Sequence, residues 1–285
     1  MTSENLHSIL DRLEIHPSTR LGQNFLIDPN LCAALVRDAN PQPGETIVEV
    51  GPGTGAITAP LLETGAHVLA IELDRRLCEY LREHFANCAN FTLVEGDACR
   101  IDYQQLLGER PCRLIANLPY SAGTVLLGKL LALEHPPKEA FILLQSEVAD
   151  RLLAKPGTKA YGSLSVRSQV VYDCCRLRHV PGRVFFPPPE VTSSHLRLRR
   201  RAAIPPRDRR ESLFAVVRVA FGQRRKKLLG VLRKNLPAVD WPTLFDRLDI
   251  SPDARAETLP PQIFLELASA LQAIEKPDIQ EETCR

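Results

Sequence analysis

Apolar residues fall into two rhythms along the chain. Leu6, Ile9, Leu10 and Leu13 keep the i, i+3, i+4, i+7 spacing of a short amphipathic helix. Asp28 before Pro29 fits an N-cap followed by proline at the first helical position, which predicts a helix to about Ala39. Residues 46–50, 67–71, 91–95, 113–116 and 140–144 are then short β-branched or apolar runs of strand length. Helical-period stretches over 56–63, 75–85, 121–133 and 146–153 alternate with them. Strands alternating with helices predict a largely parallel sheet with helices on its faces. Further on, 161–169 is predicted helical, 170–180 contains a strand, 183–189 is held extended by its prolines, and 191–198 alternates as a final strand. Ala202 to Pro206 resembles a hinge, and 212–221, 226–236, 241–248 and 262–274 are helical beyond it. The expected architecture is therefore α/β: a Rossmann-like domain over 1–203, with an N-terminal helical extension over 1–40, and a small all-α domain over 204–285.

Composition narrows the class. The 285 residues are 44% hydrophobic and 25% charged, as in an ordinary soluble globular protein. No apolar run approaches the roughly 18–20 residues of a membrane span. Residues 1–17 are polar and charged throughout and lack an apolar signal core, so a cytoplasmic location without membrane attachment is expected. The eight cysteines form no Cys-x-x-Cys pair and have no nearby His at a zinc-ligand spacing, so free thiols are expected and a metal site is not. The net charge of +2 hides an asymmetry: residues 197–234 hold 14 Lys and Arg against 2 Asp and Glu, and the rest of the chain is acidic. Such a segment suits a polyanion. Arg224, Arg225, Lys226 and Lys227 stand together at an expected helix start, where the macrodipole disfavours cations, so phosphate contact explains them better than packing does.

The strand ends carry the candidate chemistry. The first strand runs into Gly51-Pro52-Gly53-Thr54-Gly55, whose glycines allow a tight turn and close approach of a ligand to a helix N-terminus. That spacing is not the dinucleotide fingerprint. Glu72 ends the second strand, 21 residues after Gly51, about where a carboxylate meets ribose hydroxyls in nucleoside-binding α/β folds. Asp74 fits a helix cap better. Asp97 follows the third strand, where it could accept from an adenine amino group, and Asn117-Leu118-Pro119-Tyr120 follows the fourth. Acidic tips repel a pyrophosphate and suit a nucleoside with a cationic sulfonium, which points to S-adenosylmethionine. The Asn117 side-chain oxygen and the Leu118 carbonyl can both accept from one exocyclic amine, and the Tyr120 ring can stack on its heterocycle. Phe186 could stack on the other face or pack beneath the loop.

These stretches resemble, in order and over roughly residues 21–271, the motifs of the ribosomal RNA small-subunit adenine dimethyltransferase family. They are Leu21 to Leu26, Glu49 to Gly55, Ile71 to Asp74, Gly96 to Ala98, Asn117 to Tyr120, Phe186 to Val191 and Ala220 to Lys226. The resemblance implies a Rossmann-like S-adenosylmethionine-dependent methyltransferase, monomeric, that dimethylates N6 of two adjacent adenosines in the 3′-terminal hairpin of small-subunit rRNA, within an immature small subunit. It implies cofactor contacts from Asn24, Leu26, Gly51, Gly53, Glu72, Asp97 and Asn117. The target amine would be held by Asn117 and Leu118 between Tyr120 and Phe186, with RNA contacts from Arg224 to Lys227. Two positions depart from the family's pattern: Ser121 where Asn is usual and Ser146 where Lys is usual. The alternatives are a 23S rRNA adenine methyltransferase of the macrolide-resistance type and a non-catalytic assembly or transcription factor on the same fold. A nicotinamide oxidoreductase is disfavoured by the glycine spacing, and a small-molecule methyltransferase leaves the basic segment unexplained.

Overall fold

A computed structural model describes residues 6–17, 23–118 and 123–275, with side chains to residue 273. The chain divides into two compact units. One is Met1–Ala149 with Cys174–Arg200, and the other is Asp150–Asp173 with Arg201–Arg285. The boundary expected after residue 203 lies close to the observed one at Arg200, but 150–173 groups with the C-terminal helices. Tyr161, Val166 and Val170 from that stretch share the helical unit's apolar core, which is why it belongs there.

The first unit is built on a seven-stranded sheet in the order β4-β3-β2-β5-β6-β9-β7. Its strands are β2 (Thr46–Val50), β3 (His67–Glu72), β4 (Phe91–Glu95), β5 (Cys112–Asn117), β6 (Glu139–Gln145), β7 (Tyr172–Val180) and β9 (Ser193–Arg200). From β4 to β6 the pairing is parallel, and β9 returns antiparallel to β6. Central strands bury nearly every residue: in β2 only Thr46 is less than buried, and in β5 only Asn117. That explains their largely apolar runs, broken in β2 by Glu49 and in β5 by Arg113, because both faces of a parallel strand lie under helices. β2 is flanked by β3 on one side and β5 on the other, with Val48 opposite Leu69 and Leu114. Chain order therefore reverses beside β2, which opens a crevice at the carboxyl ends of β2 and β5.

The helices of this unit are α1 (Leu6–Arg12), α2 (Pro29–Ala39), α3 (Thr58–Glu63), α4 (Arg75–His84), α5 (Tyr103–Leu107) and α6 (Gly123–Ala132), while α7 (Ser146–Leu153) crosses the boundary between units. The expected caps form: Asp28 accepts from Leu31 N–H at 2.9 Å, and Asp74 accepts from Arg76 N–H at 3.0 Å. Two features lie outside the sequence reading. α5 is too short to show a helical period. The second is a two-stranded antiparallel sheet, β1 (Phe25–Leu26) with β8 (Phe185–Phe186), that pairs Phe25 with Phe186 and Leu26 with Phe185. Two residues cannot show an alternation, so nothing local marks this pairing.

The second unit comprises α8 (Ser163–Val171), α9 (Arg207–Gly222), α10 (Leu228–Asn235), α11 (Trp241–Arg247) and α12 (Pro261–Glu275). α9 starts five residues before the expected helix at Ser212. Its first turn is charged but not idle, since Arg210 is buried and donates from Nε to the Pro205 carbonyl at 3.0 Å. Trp241, Phe245, Phe264, Leu213 and Val217 fill the core. The Trp241 indole N–H donates to the Leu236 carbonyl at 2.7 Å, so its polar atom is satisfied although the side chain is fully buried. Replacing Trp241 with Ala leaves both a cavity and an unmet carbonyl. The expected loss is about 3–5 kcal/mol of the helical unit's stability, measured by denaturant unfolding; a loss under about 1 kcal/mol would contradict this packing.

Candidate functional site

The crevice at the carboxyl ends of the parallel strands is a cleft of about 350 Å³. Its walls come from 23–26, the glycine turn after β2, the tip of β3, residues 96–99 after β4, Asn117 and Leu118 after β5, and Val125 and Leu126 of α6. Asn24, Leu26, Gly51, Gly53, Glu72, Asp97, Asn117 and Leu118, separated by up to about a hundred residues in sequence, are thus brought to one cavity.

At Gly51 and Gly53 the glycine turn has one tight neighbour, Phe25, and an ordinary contact with Asn117. Gly51 has φ +69° and Gly53 φ +59°, in the left-handed region where a Cβ is disfavoured. A Cβ on Gly53 would stand 3.1 Å from the Phe25 ring, and one on Gly51 3.6 Å from the Asn117 carbonyl oxygen. The turn therefore lies flat against β1 on one side and the end of β5 on the other.

Glu72 is held where the sequence placed it. One carboxylate oxygen accepts from Leu73 N–H at 2.8 Å and Asp74 N–H at 2.9 Å, and the other accepts from Gly53 N–H at 3.2 Å. These donors tie β3's tip to the glycine turn and favour the ionised form, but burial is the larger influence and raises the carboxyl above its ordinary range. Asp97 is more open. It accepts from Cys99 N–H at 2.8 Å and faces the exposed Arg100 at 3.4 Å.

Glu49 opens the stretch that resembles the family's cofactor loop, but nothing local in its strand marks it as buried. It is 1% exposed beneath the glycine turn and accepts from the Thr58 hydroxyl of α3 at 2.7 Å. Burial pushes its carboxyl up to about 8, Thr58 opposes the shift, and the negative charge of Glu72 adds to it.

At β5's end, the Asn117 side-chain amide donates from Nδ2 to the Asn24 carbonyl at 2.9 Å. A carbonyl only accepts, so this contact fixes which way the amide points and turns Oδ1 away from Asn24 as the remaining acceptor. Leu118 is anchored by its N–H to the Leu143 carbonyl at 3.1 Å. Tyr120 and Ser121 lie outside the described residues. Phe186 does not line the cleft. It is half-buried beside Phe25, which does, and its ring centroid is 4.4 Å from that of His7.

The basic cluster stands at the start of α10, as expected, with Lys227 as its N-cap, but the turn it occupies also follows the carboxyl end of α9, where the macrodipole favours cations. For Arg224, on the α9 side, the dipole is therefore no argument against a packing role. Arg224 packs: it pairs with Glu257 at 3.3 Å and donates to the Lys159 carbonyl at 3.2 Å. Lys227 pairs with Asp253 at 2.5 Å. Arg225 and Lys226 are exposed, with no ion pair among the described residues.

The model of the family described as "Ribosomal RNA adenine dimethylase" matches residues 16–273. The chain belongs to this family. Relatives within the adenine dimethylases include the Ribosomal RNA small subunit methyltransferase A of Phenylobacterium zucineum, 42% identical over 95% of this chain and 94% of its own. The protein of the same name from Vibrio cholerae is 40% identical over 90% and 94%. Among solved structures, a dimethyladenosine transferase from Plasmodium falciparum superposes with TM-score 0.73 at 22% identity, covering 85% of this chain and 95% of the other, and shares the fold. The 23S rRNA methyltransferase ErmE gives 0.64 at 25% identity, covering 87% and 100%. Among the described residues no helix is long and apolar enough to cross a membrane, and no cluster of His, Cys, Asp and Glu could hold a metal.

The Glu49 carboxyl sets a pH dependence for this adenine dimethylase. Folding holds it protonated up to about pH 8, whereas the unfolded chain releases that proton near 4.5. The folded state binds the extra proton between those values, so stability falls as pH rises through that window. Glu49→Gln keeps the acceptor for Thr58 and removes the titration. Its stability relative to the parent is expected to rise by up to a few kcal/mol between pH 5 and pH 8, followed by thermal unfolding; a pH-independent difference would show that Glu49 does not titrate this way.

Proposed function

We propose that this chain transfers methyl groups from S-adenosylmethionine to N6 of two adjacent adenosines in the 3′-terminal hairpin of small-subunit rRNA, two to each, during small-subunit assembly. Family membership and the relatives' names support the reaction class and the RNA. The observation that carries the site is the orientation of Asn117. Its amide nitrogen donates to the Asn24 carbonyl, which leaves its oxygen as an acceptor on a residue that lines the cleft.

The residues fit a cationic nucleoside cofactor. Gly51 and Gly53 allow the backbone approach, Glu72 supplies a carboxylate with no cationic partner among the described residues, and Asp97 reaches the cleft from the neighbouring strand. Asn24 and Leu26 close the cleft opposite them. When bound, S-adenosylmethionine supplies a methyl group on a sulfonium. The chain's own task is to make an aromatic amine nucleophilic. Asn117 Oδ1 and the Leu118 carbonyl receive the two N6 hydrogens and draw the nitrogen toward a tetrahedral shape, so its lone pair leaves the ring's conjugation. The N6–carbon bond forms as the sulfur–carbon bond breaks, with that electron pair passing to sulfur. A proton on N6 then leaves to solvent. No strong base is required, because the amine becomes acidic only once alkylated, and orientation with electrostatics supplies the rate. Tyr120 and Phe186 hold the ring, which must be unpaired or flipped to arrive. Arg225 and Lys226 contact the RNA backbone, flanked by Arg224 and Lys227.

Labelled S-adenosylmethionine with immature small subunits, followed by mapping of modified nucleotides, tests the reading. The expected product is N6-dimethyladenosine at two neighbouring positions near the 3′ end, and methylation only of large-subunit RNA would overturn it. Asn117→Ala is expected to lower turnover by at least about 100-fold with an unchanged circular dichroism spectrum; near-normal turnover would remove Asn117 from the chemistry. Replacing Arg225 and Lys226 together with Ala is expected to reduce the slope of log affinity against log salt by about 1.4–1.8, two phosphate contacts. An unchanged slope would place the RNA elsewhere.

A further inference from the structure

α1 touches the rim of the site, although no step of the proposed chemistry uses it. Ile9 and Leu10 are buried on its inner face, and Leu6, Leu10, Leu13 and Ile15 share one apolar cluster with Phe25, Leu77 and Phe186. Two cationic contacts fasten the same segment to α4. The Arg12 guanidinium lies 5.6 Å from the Tyr80 ring centroid, and the Glu14 carbonyl accepts from Arg76 Nη1 at 2.7 Å. Held at these points, the helix presents His7 to the ring of Phe186, centroids 4.4 Å apart and planes at 74°.

His7 is exposed, so burial gives no reason for that placement. Phe186 is half-buried and fixed along its backbone by its pairing with Phe25, but the pairing does not fix its ring. An edge-to-face neighbour does, because the quadrupoles of two aromatic rings favour that mutual orientation. We propose that His7 is a positioning residue that sets the ring plane in which Phe186 meets the target adenine. This inference rests on the reading of Phe186 as a target-stacking residue. Neither His7 nor Phe186 lines the cleft that gathers the proposed cofactor residues, so the inference predicts an effect on the RNA substrate with cofactor affinity retained.

The test compares full-length His7→Ala, His7→Phe and Phe186→Ala with the parent. Steady-state methylation of immature small subunits gives kcat and KM, and calorimetry gives S-adenosylmethionine affinity. His7→Ala is expected to raise KM for the subunits about two- to tenfold, the worth of one aromatic pair, with kcat and cofactor affinity within twofold of the parent. His7→Phe, which keeps an aromatic edge, is expected to restore the parent KM. An unchanged or lower KM in His7→Ala overturns the inference, as does a parallel loss of cofactor affinity, which would mark α1 as a general brace. If Phe186→Ala is impaired while His7→Ala is normal, only the role of His7 fails. If Phe186→Ala is itself normal, the stacking assignment fails and the role of His7 falls with it.

Discussion

A backbone carbonyl can only accept a hydrogen bond, and that one-sidedness at Asn24 organises the site. Because the Asn117 amide nitrogen must face it, the amide oxygen is committed as an acceptor before any substrate arrives. Asn24 is in turn held by the two residues after it. Phe25 and Leu26 pair with Phe186 and Phe185, and the Phe25 ring lies so close to Gly53 that a Cβ there would stand 3.1 Å from it. One short segment thus fixes the glycine turn on one side and the amide on the other. A slip of one residue in β1 would turn Phe25 away from Gly53 and shift the Asn24 carbonyl together with it, since successive residues of a strand face opposite ways.

The cleft's electrostatics are milder than its count of carboxylates implies. Glu72, Asp74 and Asp97 line it and Glu49 precedes its glycine turn by two residues, yet Glu49 is neutral for the most part at pH 7 because burial holds its proton up to about pH 8. Asp74 is spent on the cap of α4 and on Arg76. Asp97 likewise faces Arg100, which leaves Glu72, presented on three main-chain N–H groups, without a cationic partner among the described residues. Those main-chain dipoles favour the Glu72 carboxylate, while burial is the larger influence and raises its carboxyl above the ordinary range.

Legibility in the sequence followed the physics of each element. The five parallel strands, the glycine turn, Glu72 and the caps at Asp28 and Asp74 were legible because each is encoded within a few neighbouring residues. The β1–β8 pairing was not, since Phe25 and Phe186 meet only through tertiary structure and two-residue strands have no period. Glu49 was hidden for a related reason: within Thr46–Val50 a carboxylate suggests an exposed face, and only the helices on both sides of the sheet make it a buried one. The sequence also put 150–173 with the sheet, because a helix's own pattern says that it has an apolar face and not which core receives it.

The basic segment shows why local charge overstates a polyanion surface. Of its 14 cations, Arg199, Arg201, Arg207, Arg209, Arg224 and Lys227 pair with Glu139, Asp173, Glu211, Glu266, Glu257 and Asp253. All but one of those acids lie outside 197–234, so a window drawn along the sequence counts the cations and misses their partners. Arg200 and Arg210 spend donors on the carbonyls of Pro136 and Pro205. Counterion release comes only from cations that exchange solvent ions for phosphate. A cation already paired within the fold must first give up its carboxylate to reach RNA. Arg218, Arg225, Lys226, Arg233 and Lys234, exposed and without an ion pair among the described residues, do not. The cations free to meet a polyanion are therefore those left unpaired after folding, and they include two adjacent pairs, Arg225 with Lys226 and Arg233 with Lys234.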